Sequence, residues 1–248
     1  MGGFKEAVIV IMARLRIFPN IYFLSNPFKI YEFNELVKGV RFSGEDVALD
    51  LGCGAGIQTL CIGKKCKHII GIDPNKDDIH YARMLSSYVG GRISSEFKCG
   101  ELEEENFCDN CFEKVFSICV IEHISNYEEI FEEVYRILKP GGKFIFSVDC
   151  LETIDNQELL EKHKREHNVV KYFKADELKK ILERSGFKNN KIYSIFTSDF
   201  SRKLFIKGIK KGFRFPRLCT LPYIIMLSVK ESLSRNEKGI FLIAKCEQ

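Results

Sequence analysis

The chain has 248 residues, of which 45% are hydrophobic and 29% are charged, and its formal net charge is +4. This hydrophobic fraction supports a packed core of the kind found in ordinary globular proteins. The small net charge indicates no general affinity for nucleic acid, so DNA is not expected as a partner and RNA is disfavoured. Every apolar run falls short of the roughly 18 residues that a membrane-spanning helix needs.

The ten cysteines raise the question of disulfides. The apolar run at 7–12 is short and is followed by Arg14 and Arg16, a pattern that does not match a secretory signal. We therefore expect a cytoplasmic protein with mostly free thiols. Cys108 and Cys111 form a single Cys-x-x-Cys pair. Because a structural zinc site normally needs a second pair, no metal is predicted, and free surface thiols are favoured there.

Strands and helices alternate along most of the chain. The first forty residues are helical in part, with apolar residues at helical spacing over 31–38. Strands are then predicted at 47–51, 68–72, 95–99, 114–119 and 143–148, and helices at 57–63, 75–87 and 126–138. The turn Lys139-Pro-Gly-Gly142 is a strong stop signal after the last of these helices. A further helix at 175–185 and strands at 191–197 and 239–245 follow.

This alternation predicts an α/β fold with a doubly wound, Rossmann-like sheet and helices on both faces. We expect seven strands, mostly parallel, with an antiparallel last strand. The chain is interpreted as one domain over 1–248, with a helical cap at about 1–40 and an inserted, lid-like segment at about 198–236. Ligands of such sheets bind beyond the carboxyl ends of the strands.

A glycine-rich loop follows the first strand and precedes a helix. Gly52, Gly54 and Gly56 allow a tight turn and a close approach of backbone to a ligand. Nicotinamide-binding loops share this pattern, but the position that would complete their fingerprint is Ile57. Asp50 would repel a pyrophosphate and attract a ligand that carries an ammonium and a sulfonium. The alternative for Asp50 is a cap of the turn or helix.

Asp73 ends the second predicted strand. An acid at this position accepts hydrogen bonds from both hydroxyls of a ribose, which fits the adenosine of either cofactor. The alternative is an Asx turn before Pro74.

Several segments occur together in one order. They are Asp50-Leu-Gly-Cys-Gly-Ala-Gly56, Asp73, Gly100-Glu-Leu-Glu103 with 106–112 after it, Val120-Ile-Glu-His-Ile124, Lys139-Pro-Gly-Gly142, and 172–178 with Ser185-Gly-Phe187. In this order they resemble the motifs of class I S-adenosylmethionine-dependent methyltransferases, of the UbiE-like group. The resemblance covers roughly residues 30–195 and the last strand, and it implies S-adenosylmethionine as cofactor, with S-adenosylhomocysteine as product.

The resemblance also implies roles for single residues at the methionine and ribose. Asp50 would help to hold the methionine amino group, often through water. The backbone of the loop from Gly52 through Cys53 and Gly54 to Gly56 would line the methionine and ribose. Asp73 would hold the ribose hydroxyls.

Further implied roles concern the adenine and the sulfonium. Pro74 would pack near the adenine, and Glu101 would contact its amino group in place of the family's usual Asp. Leu102 would offer its backbone amide to the ring. The alternative for the acidic run after Glu101 is a solvated face of the protein. The backbone around Ile118 and Cys119 would flank the sulfonium.

His123 is the candidate catalytic base, needed where the acceptor must lose a proton. A structural role within its motif is the alternative. No Asn-Pro-Pro-Tyr-like sequence follows the fourth strand, which disfavours the amino groups of adenine and glutamine as acceptors. We expect a small-molecule or lipid-like acceptor, methylated on oxygen, nitrogen or carbon. The alternatives are a non-catalytic cofactor-binding scaffold, a nicotinamide-dependent oxidoreductase, and an RNA methyltransferase that uses a basic insert.

The segment 201–214 combines basic residues at 203, 207, 210 and 214 with an apolar stripe at 205, 209 and 213. This pattern is typical of a basic amphipathic helix, which suits a lid over the substrate or peripheral contact with a membrane. The alternative is a helix that packs its apolar face on the domain and leaves its basic face in water. No feature of the sequence specifies the oligomeric state.

Overall fold

The computed structural model of the protein describes residues 3–24, 26–213 and 220–248. The strands are β1 Val47–Leu51, β2 His68–Asp73, β3 Ser95–Cys99, β4 Phe112–Ile118, β5 Leu138–Asp149, β6 Lys188–Ile195 and β7 Phe241–Glu247. The helices are α1 Gly3–Arg14, α2 Pro27–Val37, α3 Ile57–Gly63, α4 Lys76–Val89, α5 Tyr127–Ile137, α6 Gln157–Glu166, α7 Ala175–Arg184, α8 Asp199–Lys211 and α9 Thr220–Leu233.

Within the described residues the strands form one seven-stranded sheet in the order β3-β2-β1-β4-β5-β7-β6. The neighbours from β3 to β5 pair in parallel, and β7 runs antiparallel to both β5 and β6. This confirms the predicted fold class. The strand order reverses between β1 and β4, so the carboxyl ends of these two strands open the crevice in which such sheets bind ligands.

Side chains of β5 show how helices cover both faces. Phe144, Phe146 and Val148 are fully buried in a core that includes residues of α5 and α7. Ile145, which points to the opposite face, belongs to a core with residues of α2, α8 and α9. Because successive side chains of a strand alternate between faces, a continuous apolar run buries both faces of this central strand.

Several predicted boundaries match the structure. The bounds of β1, α3 and β3 are those predicted. The strand predicted to begin at Lys143 instead begins at Leu138, because Leu138 already pairs with Phe112 before a register shift. Helices α6 and α9 had no predicted counterpart, and α1 lies within the predicted helical cap at about 1–40, where no pattern predicted its bounds.

The inserted segment contains α8 and α9. Leu204, Phe205 and Ile209 of α8 are buried, whereas Lys203, Lys207 and Lys210 are exposed. The helix therefore packs its apolar face on the protein and leaves its basic face in water, which was the alternative to membrane contact through this helix. Arg214 lies outside the described residues. None of the described helices combines the length and apolar character needed to cross a membrane.

Cys108 and Cys111 are joined in a disulfide, with their Cα atoms 5.7 Å apart. The prediction of free surface thiols was therefore wrong for this pair. The loop between β3 and β4 brings the two side chains together, which the spacing alone did not decide. The other cysteines of the described ranges, among them Cys53 and Cys119, are free as predicted.

Candidate functional site

A cavity of about 630 Å³ lies at the carboxyl ends of β1, β2 and β4. The predicted site residues that line it are Gly52, Asp73, Pro74, Glu101, Leu102, Ile118 and His123. These residues lie up to 71 positions apart along the chain, and parallel strands bring them to one edge of the sheet. A cavity of this size suits a nucleoside-bearing ligand, because drug-sized ligand pockets span roughly 300–1,000 Å³.

Asp50, Cys53, Gly54 and Gly56 are not among the lining residues of this cavity. Asp50 is buried in β1, and its Oδ2 accepts a hydrogen bond of 2.6 Å from the Thr59 hydroxyl. Burial raises the pKa of Asp50 to about 7, although the Thr59 hydrogen bond acts in the opposite direction. The role of Asp50 toward the methionine amino group stays a prediction, and in this position contact through water is the geometry that suits it.

The loop backbone leaves no room for a side chain at two of its glycines. Gly52 has φ +73°, and a Cβ there would overlap the Val120 side chain. Gly56 has φ +77°, and a Cβ there would lie 2.9 Å from the Phe97 ring. Both positions combine a left-handed backbone with close packing, so glycine is required for two independent reasons.

Asp73 hydrogen bonds to the loop and to its own turn. Its Oδ2 accepts from the Gly54 amide at 2.9 Å, and its Oδ1 accepts from the Asn75 amide at 2.9 Å. The Asx turn that was the alternative is thus present, and Asp73 also lines the cavity. A carboxylate can accept about four hydrogen bonds, so both oxygens keep capacity for ribose hydroxyls.

The acidic segment after β3 forms one side of the cavity. Glu101 is exposed, while Leu102 is buried with 1% of its surface accessible. Glu103 lines the cavity and accepts a hydrogen bond of 2.8 Å from the Asn126 amide nitrogen, which lines it too. No sequence motif predicts a role for Glu103 or Asn126 individually, because their pairing joins two separate loops.

Cys119 follows β4 directly and adopts φ +50°, a conformation that is uncommon for a residue other than glycine. Its amide donates to the Ser147 carbonyl at 3.1 Å, and its Sγ donates to Glu32 Oε1 at 2.8 Å. Burial raises the pKa of the thiol well above its ordinary value, so this cysteine is a neutral hydrogen-bond donor. Cys119 lines the cavity, and the placement of its backbone beside the sulfonium stays a prediction.

His123 lines the cavity together with Lys29. The imidazole Nδ1 lies 3.3 Å from the Asn168 carbonyl oxygen, so Nδ1 carries the proton and Nε2 the lone pair. Partial burial lowers the pKa of His123, which the hydrogen bond to Asn168 opposes. A neutral imidazole is the form that a general base requires. Lys29 was not predicted, because α2 carries none of the motifs.

The residues of the cavity fit the cofactor that the motifs imply. Acids at 73 and 101 line the cavity and could accept hydrogen bonds from a sugar and from an amino-bearing ring. A Cβ added at Gly54 would meet no atom within 4 Å, so the loop backbone is open to a ligand at this point. The buried carboxyl of Asp50 lies on the strand beneath the loop and can ionise in response to a cation.

A family model described as a methyltransferase domain matches residues 49–146. The mitochondrial ubiquinone biosynthesis O-methyltransferase of Rattus norvegicus is 30% identical over 175 residues, which is 66% of this chain and 50% of that protein. Phosphoethanolamine N-methyltransferase 1 of Arabidopsis thaliana is 31% identical over 117 residues, which is 47% of this chain and 23% of that protein. The chain thus spans half or less of the length of these relatives.

Among solved structures, an S-adenosylmethionine-dependent methyltransferase from Mesorhizobium loti superposes with a TM-score of 0.64 at 17% identity. The similarity covers 88% of this chain and 98% of that one. At this identity it shows a shared fold over a larger share of the chain than the family model matches.

Proposed function

Because the chain belongs to the class I S-adenosylmethionine-dependent methyltransferases, we propose that it transfers the methyl group of S-adenosylmethionine to a small-molecule or lipid-like acceptor. The observation that carries this proposal is the convergence of Gly52, Asp73 and Glu101 on one cavity whose wall also contains His123. The candidate binding residues and the candidate base thereby line the same cavity.

The protein's part in this reaction is to bind, to orient and to exclude water. S-adenosylmethionine supplies a methyl group that is already activated for displacement, so no further electrophile is needed. Asp73 would orient the ribose and Glu101 the adenine. Positioning of the acceptor against the methyl group then provides most of the rate enhancement.

His123 is proposed as the general base for an acceptor that must lose its proton. Its place in the wall of the cavity and its lowered pKa support this role. An acceptor that attacks through a lone pair or a double bond would not need it at the moment of attack.

The names of the relatives describe methylation on oxygen for one protein and on nitrogen for the other. Both names are consistent with a small or lipid-like acceptor for this chain. They do not favour the alternatives of a non-catalytic scaffold or an RNA methyltransferase.

Calorimetric titration with S-adenosylhomocysteine and with NAD tests the cofactor. We expect binding of S-adenosylhomocysteine at micromolar concentration and none of NAD. The reverse result would overturn the proposal. Release of S-adenosylhomocysteine from S-adenosylmethionine in the presence of a panel of small acceptors then tests turnover. Binding without turnover on every acceptor would support the scaffold alternative.

We further propose that the protein contacts anionic lipid surfaces through α9 and the neighbouring α8. Five apolar side chains of α9 are exposed by 45–71%: Leu221, Ile225, Met226, Val229 and Leu233. Four of them recur every fourth residue and so form one stripe. Helix α8 packs against α9 and carries exposed lysines. An apolar stripe beside basic side chains complements an anionic bilayer surface.

Co-sedimentation with phosphatidylcholine vesicles, with and without phosphatidylserine, tests this contact. We expect binding that requires phosphatidylserine. The double substitution of Ile225→Ser and Val229→Ser should reduce this binding at least about fivefold. Ile17→Ser, at an exposed apolar residue outside the insert, is the matched control and should bind normally. Absence of the wild-type protein from the anionic vesicle pellet would contradict the proposal.

A further inference from the structure

A second cavity, of about 270 Å³, adjoins the first. Lys29, Cys119 and His123 line both cavities. The backbone of Cys119 is the part of the chain expected beside the sulfonium. A molecule in the second cavity would therefore lie next to the reacting end of the cofactor.

The polar wall of this cavity contains a buried carboxyl group that pairs with no cation among the described residues. Glu122 has no accessible surface, and the neighbouring carboxyl of Asp149 is the one hydrogen-bonding group of the described side chains close to its carboxylate oxygens. Asp149, with 5% of its surface accessible, lies close by, since ligand-type atoms of Cys119, Glu122 and Asp149 all lie within 4.8 Å of one another. A buried polar group with too few partners carries a cost in the free energy of folding. A ligand that pairs with Glu122 would remove this cost.

Lys29 is not the ion-pair partner of Glu122. Its Nζ lies 3.1 Å from Glu32 Oε2, which is the one carboxylate within 4.0 Å of it in the part of the chain that the structure describes. The other oxygen of Glu32 accepts hydrogen bonds from the Ser147 hydroxyl and the Cys119 thiol. The lysine charge is thus balanced on α2, and burial raises the pKa of both Glu122 and Asp149.

The histidines around the cavity carry no compensating charge either. Burial lowers the pKa of His163 to about 4 and also lowers the pKa of His167. His163 Nε2 lies 3.8 Å from Asp149 Oδ2. At neutral pH these imidazoles are uncharged, so among the described residues Lys29, paired with Glu32, is the cation of this wall.

The opposite wall is aromatic. Phe28, Phe205 and Phe241 are buried in it, and their rings pack edge to face, at 5.3 Å between the centroids of Phe28 and Phe205. Lys29 Nζ lies 5.8 Å from the centroid of Phe241, so one ring already faces a cation. Aromatic faces attract cations because the π face of the ring carries partial negative charge.

A metal ion suits this site less well than an organic cation. The Cys119 thiol stays protonated because burial raises its pKa, whereas a metal requires the thiolate. Three phenylalanine rings offer apolar surface that an organic body, and not a metal, would cover.

We propose that the second cavity is the acceptor site and that the acceptor is a primary or secondary amine, bound as an ammonium between Glu122, Asp149 and the aromatic wall. This inference rests on the proposed methyl transfer. The ammonium gives one proton to a carboxylate of the pair and becomes a neutral amine. The nitrogen lone pair then forms the bond to the methyl carbon, the carbon–sulfur bond breaks, and its electron pair remains on sulfur. The products are the methylated ammonium and S-adenosylhomocysteine.

The test uses the protein saturated with S-adenosylhomocysteine. Calorimetry compares two amines with their matched alcohols: phenethylamine with phenethyl alcohol, and ethanolamine with ethylene glycol. For at least one pair we expect the amine to bind about tenfold or more tightly, because a hydrogen bond to a charged group is worth about 1.5–3 kcal/mol. No amine preference in either pair, including no binding at all, overturns the inference.

Two variants test whether Glu122 and Asp149 cause the preference for an amine over its matched alcohol. Glu122→Gln and Asp149→Asn keep the side-chain shape and should each reduce the amine preference about tenfold. Glu158→Gln, at an exposed acid of α6, makes the same change of charge outside both cavities and should keep the preference. Thermal melting identifies a variant that fails to fold, in which case the other variant decides. An unchanged preference in a folded variant of either acid contradicts the site.

The outcome also separates this inference from the proposed function. Failure of S-adenosylhomocysteine to bind would count against methyl transfer itself. Binding of S-adenosylhomocysteine without an amine preference would leave methyl transfer standing and remove the amine site. With S-adenosylmethionine in place of the product, mass analysis of the amine that binds should show an added methyl group.

Discussion

The larger cavity is lined mostly by residues that directly follow β1, β2, β3 and β4, whereas the smaller cavity takes its wall from α2, α6, α8 and β7 as well. In the larger cavity, short loops after parallel strands hold each group, and backbone hydrogen bonds such as that from the Gly52 amide to the Ile72 carbonyl, at 2.9 Å, fix the loop. In the smaller cavity, packing between distant helices decides which side chains meet. The first arrangement suits an invariant cofactor, and the second can be adapted to one acceptor.

The largest effect is expected from Gly52→Ala, which changes the loop of the larger cavity. The added Cβ overlaps Val120 in a left-handed backbone conformation, so the free energy of unfolding should fall by about 2–5 kcal/mol. Urea denaturation measures this, and calorimetry should show loss of S-adenosylhomocysteine binding. Gly54→Ala is the control, because its Cβ would meet no atom within 4 Å, and it should cost only about 1–2 kcal/mol. Equal losses would refute the steric argument.

Asp73→Ala should weaken S-adenosylhomocysteine about tenfold to a hundredfold, because it removes the acceptor proposed for both ribose hydroxyls. Asp77→Ala, at an exposed acid in the first turn of α4, should keep the affinity within about twofold. Calorimetry on both variants, with melting curves to verify folding, checks the difference. If affinity is unchanged in Asp73→Ala, this residue does not belong to the ribose site.

The pH dependence of S-adenosylhomocysteine binding should reflect the ionisation of the Asp50 carboxyl. Burial raises the pKa of this carboxyl from 3.8 to about 7, so the ligand-free native state holds a proton that the unfolded chain releases. Between about pH 4 and 7 this contribution to stability therefore falls as pH rises, and above about 7 it is constant. A ligand ammonium favours the ionised form, so affinity should rise toward pH 7, by at most about tenfold per pH unit.

Asp50→Asn separates Asp50 from the other buried acids. In this variant the affinity for S-adenosylhomocysteine should be weaker and should vary less between about pH 5.5 and 8 than in the wild type. Calorimetry at several pH values gives the difference between the two proteins. A wild-type pH profile that Asp50→Asn reproduces would assign the titration to another group.

The smallest effect is expected in a variant of the smaller cavity. Phe205→Leu removes ring surface from its aromatic wall and should lower the free energy of unfolding by about 1–2 kcal/mol. Its affinity for S-adenosylhomocysteine should stay within about twofold of the wild type, because Phe205 does not line the larger cavity. A tenfold loss of affinity would show that the two cavities do not act separately.

Much of the larger cavity was predictable because its residues belong to contiguous motifs. Gly52, Asp73, Glu101 and His123 were all predicted, and all of them line it. Lys29 and Gln58 line it too but were missed, because neither residue type carries a signal outside a motif. Asp50 was predicted as a binding residue from its charge, and the structure shows that it lies in the strand, bonded to Thr59.

Helices α1 and α6 have no helical pattern in the sequence, each for a different physical reason. Helix α1 contains a continuous apolar run with two valines and two isoleucines, which has no helical periodicity to detect. Helix α6 has few apolar residues, with Leu159 and Leu160 adjacent, so no stripe marks a buried face. Both helices gain their stability from packing, of α1 on α4 and of α6 on α8, and that packing depends on the rest of the fold.

The sequence by itself determined the order of strands and helices, the glycine loop after β1 and the acid after β2. Local backbone preferences and short loops are encoded within a few residues, and the rules of parallel sheets then bring the strand ends together. Only the tertiary structure decided that Glu122, Asp149 and Phe205 would face one cavity. Their meeting depends on how helices from distant parts of the chain pack, and no short segment carries that information.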